Sequence, residues 1–308
     1  MIDVESQAGV RSPALLPPTT TLGPVRLGVT DRARALAIWQ DVVGLDLIAE
    51  TAETLDLGIA GKVLIVLELG TRLPVVERTT GLYHVAIHVP TRRDFAHFLV
   101  RALQRRVRVS PTDHLVSEAI YLWDVDGNGI EITFETPWRG TLGDPESGNY
   151  ATTIDGRKHS GREPIDVDAL LAEIEGDINQ VPPRMVPGTR IGHVHVHVMS
   201  LDDALHFYRD GLGFAGLFVI RSFGMGDVGL GYAPHAIAFN IWAGPHAKPA
   251  PQGAAGLRWF GIVLPDATTL DAVKARLTAI GVTYVETSDG IDVRDPSGNL
   301  VKLSIAAA

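Results

Sequence analysis

Trp123-Asp124-Val125-Asp126-Gly127-Asn128-Gly129-Ile130-Glu131-Ile132-Thr133 reads as a turn feeding a short strand. Asp, Gly and Asn supply the turn, and the strand carries one acid, Glu131, between isoleucines. An unpaired carboxylate among strand apolars is expensive to bury, so Glu131 is expected to face a cavity or a partner. Upstream, Gly81-Leu-Tyr-His84-Val-Ala-Ile-His88-Val reads as a second strand that begins with a histidine. An acid and a histidine on two strands of one small unit suggest a metal site whose third ligand lies elsewhere.

The turn recurs. Asp124-Val-Asp-Gly-Asn128 matches Asp295-Pro-Ser-Gly-Asn299, each downstream of an apolar-Pro pair (Val89-Pro90, Leu264-Pro265) and a helical stretch (94–103, 270–277). Trp39-Gln-Asp41-Val-Val-Gly44-Leu45 matches Tyr208-Arg-Asp210-Gly-Leu-Gly213-Phe214. Each of these follows a strand (25–29, 194–198) and a helical stretch (33–40, 203–209). The chain is therefore four units, 22–75, 80–138, 189–245 and 255–305, each reading strand, helix, then about three strands. Gly44, Gly213 and Gly281 fall where helix-ending glycines belong.

One such unit cannot bury its sheet alone. Two side by side form a cup with helices outside, and ligands settle in such concavities. The fold class is α+β: four βαβββ modules forming two domains, 22–140 and 189–308, with curved, cup-forming mixed sheets. Residues 1–21 form a Pro/Thr-rich N-terminal arm. Residues 141–188, rich in Gly, Pro and acids, connect the halves and contain one helical piece (167–174).

Composition narrows the function. The 308 residues suffice for two domains with real cores. A net charge of −9 without a Lys/Arg block argues against nucleic acid and anionic membranes. The chain has no cysteine, which removes disulfides, thiolate metal sites and cysteine nucleophiles and fits a reducing compartment. No apolar run reaches the ~18 residues of a membrane span. The N-terminus lacks the basic-then-apolar order of a secretory signal, so a cytoplasmic location is expected.

The repeated βαβββ pattern and the Asp-x-Asp-Gly-Asn-x-x-Glu ending resemble the vicinal-oxygen-chelate superfamily, which includes glyoxalase I, bleomycin-resistance proteins and extradiol ring-cleaving dioxygenases. The resemblance covers roughly residues 22–138 and 189–305. In the extradiol enzymes a histidine starts the first strand of each of two partner modules, and a glutamate sits on the last strand of one. These three ligands leave open positions on Fe(II) or Mn(II). Here the strand-start positions are Pro24, His84, His193 and Trp259, and the closing position is Glu131 in unit 2 but Lys302 in unit 4. The losses are complementary. One complete site, His84, Glu131 and His193, remains if unit 2 pairs with unit 3, within a chain or by exchange between chains.

Further residues extend the resemblance. Asp113-His114-Leu115-Val116-Ser117 looks like the His-Gly-Val-Ser stretch whose histidine bonds substrate or oxygen, with Leu115 replacing the glycine. Tyr232-Ala-Pro-His235-Ala-Ile-Ala-Phe resembles the segment bearing the acid–base histidine. The resemblance implies an extradiol dioxygenase similar to catechol 2,3-dioxygenase, acting on a small aromatic and O2 with Fe(II) or, alternatively, Mn(II). His114 and His235 are its catalytic candidates. Trp123, Phe239 and Trp242 would form an aromatic-binding wall. His193, His195 and His197 share one strand face, which makes His195 and His197 pocket candidates. His88, His97 and His206 read as surface residues. A homo-oligomer is compatible with this reading. Two alternatives stay open: a glyoxalase- or epimerase-like lyase or isomerase with Glu68 as a fourth ligand, and a metal-free binding protein of the bleomycin-resistance type.

Overall fold

A computed structural model describes residues 12–144, 148–174, 179–230 and 233–306. The first eleven residues of the N-terminal arm, residues 145–147 and 175–178 of the connector, and Tyr232 lie outside them.

Each unit follows the same order. Unit 1 contains β1 (Thr21–Gly28), α1 (Arg32–Trp39), β2 (Asp46–Glu50), β3 (Thr54–Ile59) and β4 (Lys62–Glu68). Unit 2 contains β5 (Thr79–His88), α2 (Arg92–Gln104), β6 (Ser110–Asp113), β7 (Ser117–Trp123) and β8 (Gly129–Glu135). The connector adds β9 (Gly140–Asp144), β10 (Asn149–Thr153), β11 (Lys158–His159) and α3 (Val167–Ala172). Unit 3 has β12 (Arg190–His197), then α4 (Leu201–Leu205), which winds on as a π-helical segment (His206–Leu212), then β13 (Ala215–Ile220), β14 (Met225–Leu230) and β15 (Ala233–Asn240). After the short β16 (Lys248–Pro249), unit 4 has β17 (Gly256–Leu264), α5 (Ala267–Ala279), β18 (Tyr284–Glu286), β19 (Gly290–Arg294) and β20 (Leu300–Ile305).

The helices of the units start at side-chain caps. Asp31, Thr91, Ser200 and Asp266 each accept a hydrogen bond from the amide three residues on, satisfying a donor that the first turn leaves free. Gly213 closes the unit 3 helix with φ 95°, a conformation that costs glycine little.

The sheets interleave the two halves of the chain. One sheet runs β18-β19-β20-β17-β1-β4-β3-β2 and joins unit 4 to unit 1. The other runs β13-β14-β15-β12-β5-β8-β7-β6 and joins unit 3 to unit 2. Each seam is antiparallel, β1 with β17 and β5 with β12. Unit 2 thus lies beside unit 3 within one chain.

The seam also moves the strand starts. The β5–β12 ladder runs from His88↔Arg190 to Gly81↔His197. That pairing extends both strands upstream, so His84 and His193 sit inside the ladder rather than at strand starts.

The repeated motifs tie units within each half. Trp39 of unit 1 donates its indole N–H to Asp124 of unit 2 at 3.1 Å, and Tyr208 of unit 3 donates its hydroxyl to Asp295 of unit 4 at 2.9 Å. Each aspartate also accepts amides from its own turn. Asn128 reaches the Gly28 carbonyl and Asn299 the His197 carbonyl, so these turn residues also fasten a neighbouring unit. β9, β10 and β11 form a small sheet, and Leu142, Gly143 and Tyr150 from it line the cup of the second large sheet. No helix among the described residues is long and apolar enough to cross a membrane.

Candidate metal centre

The centre is built around Ala86. On β5, Ala86 pairs with His193 of β12 on one side and with Glu131 of β8 on the other. Its methyl group leaves a gap between an imidazole and a carboxylate. His84, two residues earlier on the same strand, projects to the same face and leans over that gap. His84 Nε2 lies 2.9 Å from Glu131 Oε2, His193 Nε2 lies 3.2 Å from the same oxygen, and the two nitrogens are 3.0 Å apart. All three residues are buried.

These separations fit a metal ion. Ligands about 2.1 Å from a metal and at right angles to one another stand about 3 Å apart, whereas a tetrahedral arrangement spreads them to about 3.4 Å. Hydrogen bonding alone serves the triangle poorly. If both Nε2–H groups point at the carboxylate, the two donors also oppose each other. A cation satisfies all three at once, and this His-His-Glu cluster is capable of holding one. Glu131 Oε1 is occupied separately by the Thr133 hydroxyl at 2.8 Å.

The protonation states agree. Burial holds the His193 and His195 imidazoles well below their ordinary pKa. Burial would raise Glu131, but His193 and His84 outweigh it and hold the carboxyl well below its usual range. A neutral imidazole and an ionised carboxylate are the ligating forms.

The far nitrogen of His193 has two histidine neighbours. Nδ1 lies 3.0 Å from His235 Nε2 and 3.4 Å from His88 Nε2. Behind His235 stands Asp227, fully buried, with Oδ2 3.2 Å from His235 Nδ1. Burial opposes charge on His235, but Asp227 prevails and raises its pKa to about 9.

His88, expected at the surface, is instead buried. The alternation of β5 puts His84, Ala86 and His88 on one face, and His88 Nδ1 faces Glu135 at 3.1 Å. Gly192 makes the space: a Cβ there would lie 1.8 Å from the His88 ring. His97 is half-buried; His206 is exposed and bonds Asp210.

A cavity of about 520 Å³ opens above the cluster. His114 sits on its wall. Since the Gly161 carbonyl can only accept, His114 Nδ1–H donates to it at 2.6 Å, leaving Nε2 to accept from the Tyr121 hydroxyl at 2.9 Å. Burial lowers the His114 pKa, so the ring is neutral. Leu115 holds φ 70°, the left-handed conformation that suits a glycine. Trp123, Trp242 and His195 also line the wall, and His195 Nε2 contacts the Asn240 amide nitrogen at 2.8 Å.

Two expected pocket residues lie elsewhere. Ala238 pairs with His195 and faces the cavity, so its neighbour Phe239 faces the opposite side. There Phe239 is fully buried and stacks on Tyr208. His197 follows an irregularity in the ladder between His195 and Val196. It donates to Asn240 Oδ1 at 2.7 Å and sits beyond Tyr83, off the cavity wall. Glu68 belongs to the other sheet, where Arg26 and Arg258 bind it at 2.9 and 2.7 Å. It is not part of the converging cluster. Lys302 pairs with Asp292.

Sequence reasoning passed over four groups. Tyr121 pairs across the ladder with Glu131; strand alternation from Glu131 would have found it. Asp227 lies one pair beyond Ala238 on the row from His195, a relation that needs the sheet register. Tyr150 and Arg162 arrive on the connector, which carries no repeat to align.

The fold agrees with the comparisons. The chain belongs to the glyoxalase/bleomycin resistance protein/dioxygenase superfamily, whose family model matches residues 21–132 and 190–303. It is 35% identical over 280 residues to the catechol-2,3-dioxygenase of Bacillus subtilis (strain 168), a match spanning 90% of this chain and 94% of that protein. Among solved structures, a Bacillus subtilis protein described as a candidate dioxygenase superimposes with TM-score 0.60 at 13% identity, over 94% of this chain and 86% of that one. A Zea mays glyoxalase I mutant superimposes with TM-score 0.56 at 12% identity, over 93% and 94%. These two structural likenesses speak to the fold.

Proposed function

We propose that this protein is an extradiol ring-cleaving dioxygenase that opens a catechol-type aromatic with O2. His84, His193 and Glu131 would hold a non-haem Fe(II), with Mn(II) as the alternative. The observation that carries the reading is the triangle of donor atoms, with sides of 2.9, 3.0 and 3.2 Å on the floor of a cavity. The relative at 35% identity supports the choice of reaction.

The metal, when bound, supplies Lewis acidity and open positions for substrate and O2. The remaining chemistry falls to side chains. His235, held by Asp227 and lining the cavity beside His193, is placed to give a proton to, or take one from, the substrate oxygens. His114 is neutral, with its Nδ1–H spent on Gly161, so Nε2 presents a lone pair shared with Tyr121. Together Tyr121 and His114 can pass a phenolic proton away from the ring. Trp242 and Trp123 flank the cavity with the flat apolar surface an aromatic substrate needs.

The lyase reading calls for a fourth ligand, and Glu68 is committed to two arginines in the other sheet. A binding-only role would not require three converging donors. The test is direct. Protein loaded anaerobically with Fe(II), then given O2 and a panel of catechols, should yield a yellow ring-fission product with one O2 consumed per ring. No product from any catechol would overturn the proposal.

A further inference from the structure

We infer that the preferred substrate is a catechol carrying a carboxylate on a short side chain, and that Arg162 reads that carboxylate; this rests on the ring-cleaving reading above.

Three observations converge. The first is room. A bare catechol has eight non-hydrogen atoms, while cavities of this size, about 520 Å³, accommodate larger ligands. A ring seated at His84, His193 and Glu131 leaves most of that volume for a substituent.

The second is a path. Rings run in unbroken contact from the cluster, with His84, His195 and Trp242 on the cavity wall and Phe223 behind Trp242. His84 contacts His195 at 4.9 Å between centroids, His195 contacts Trp242 at 5.5 Å, and Trp242 contacts Phe223 at 5.0 Å. Arg162 caps this wall, its guanidinium carbon 4.7 Å from the Phe223 ring centre. An arm on the aromatic ring would run along this apolar surface and end at a cation.

The third is a cation at the cavity edge that no carboxylate of the described residues holds. Among the described residues, no carboxylate ion-pairs with Arg162. Its neighbour Glu163 also lines the cavity, but one oxygen takes the Ser160 amide at 3.1 Å and the other faces His159 at 3.6 Å. Asp113 is taken by Arg139 and Asp227 by His235. Arg162 nonetheless directs its field inward. Burial raises the phenols of Tyr83, Tyr121 and Tyr150, and the Arg162 charge opposes that rise on each. A planar guanidinium offers a carboxylate two parallel hydrogen bonds. Arg162 is exposed at the edge of the cavity, so its guanidinium is free to exchange water for a carboxylate on the ligand.

The experiment uses the full-length, Fe(II)-loaded protein and four substrates: catechol, 4-methylcatechol, 3,4-dihydroxyphenylacetate and 3-(3,4-dihydroxyphenyl)propionate. The acids should exceed 4-methylcatechol in kcat/KM. In Arg162→Gln the acid-to-neutral ratio should fall by about 10–100-fold, the range expected for losing a charged hydrogen-bond pair, with most of the change in KM. Arg162→Lys should keep part of the preference. Anaerobic dissociation constants should show the same ratio and weaken with salt for the acids alone. Cleavage of the neutral catechols with no acid preference, or an equal loss on both classes in Arg162→Gln, would overturn this inference and leave the ring-cleaving reading standing. Failure of every catechol to bind or react would overturn both.

Discussion

His84 Nε2 and His193 Nε2 stand 3.0 Å apart although 109 residues separate them in the chain. The antiparallel seam between β5 and β12 brings them together, so one chain holds all three candidate ligands. Loaded protein should therefore carry one metal per chain. Glu131→Gln, His84→Ala and His193→Ala should each weaken metal affinity beyond the ~10–100-fold that outer-shell losses cost. Elemental analysis after dialysis, beside circular dichroism to verify folding, measures this. Retention of metal by all three variants would refute the assignment.

Ala86 is the spacer of the site. It lies between His193 and Glu131 on the ladder and is fully buried. Ala86→Val adds two methyl groups where the donors converge. It should destabilise the fold by about 1–3 kcal/mol and abolish metal binding. Chemical denaturation and metal titration report the two effects separately. Unchanged metal affinity would show that the gap above Ala86 is not the site.

Much of this was legible in the sequence. The repeat exposed four units, and the complementary replacements, Lys302 for the acid and Pro24 and Trp259 for the histidines, identified the pair of units that could share one site. Residues whose placement depends on register were harder to read. Phe239 and Ala238 are adjacent, and only the pairing of Ala238 with His195 decides which one meets the cavity. His88 is the last residue of β5, and only its neighbours across the sheet, His193 and Glu135, show that it points inward. Arg162 and Tyr150 belong to a segment without internal repetition, so no alignment could point to them.

Gly192 and His88 form a second dependency. A side chain at 192 would occupy the His88 ring position and push that ring off His193 Nδ1. Gly192→Ala should lower stability by about 1–3 kcal/mol and weaken metal affinity by ~10–100-fold through loss of an outer-shell contact. Thermal melts with and without metal test this. A variant as stable and as tight as the parent would show that His88 plays no part in orienting His193.

The His235–Asp227 pair predicts a pH response in the metal-free protein. The folded-state pKa of His235 is raised from 6.5 to about 9, with Asp227 as the cause that overcomes burial. Its stabilising contribution is therefore complete below pH 6.5 and disappears as pH rises through about 9. Asp227→Asn should return the His235 titration, followed by NMR, to 6.5 or lower. The stability gap between parent and variant should close above pH 9. A His235 that titrates near 6.5 in the parent would contradict the pairing.

The most direct measurement is the crystal structure of anaerobically Fe(II)-loaded protein, with the metal located by anomalous scattering at the iron edge. One peak should lie about 2.0–2.2 Å from His84 Nε2, His193 Nε2 and a Glu131 carboxylate oxygen, with its open side toward Trp242 and His235. A peak elsewhere, or one that draws Glu68 into the coordination, would contradict the composite site.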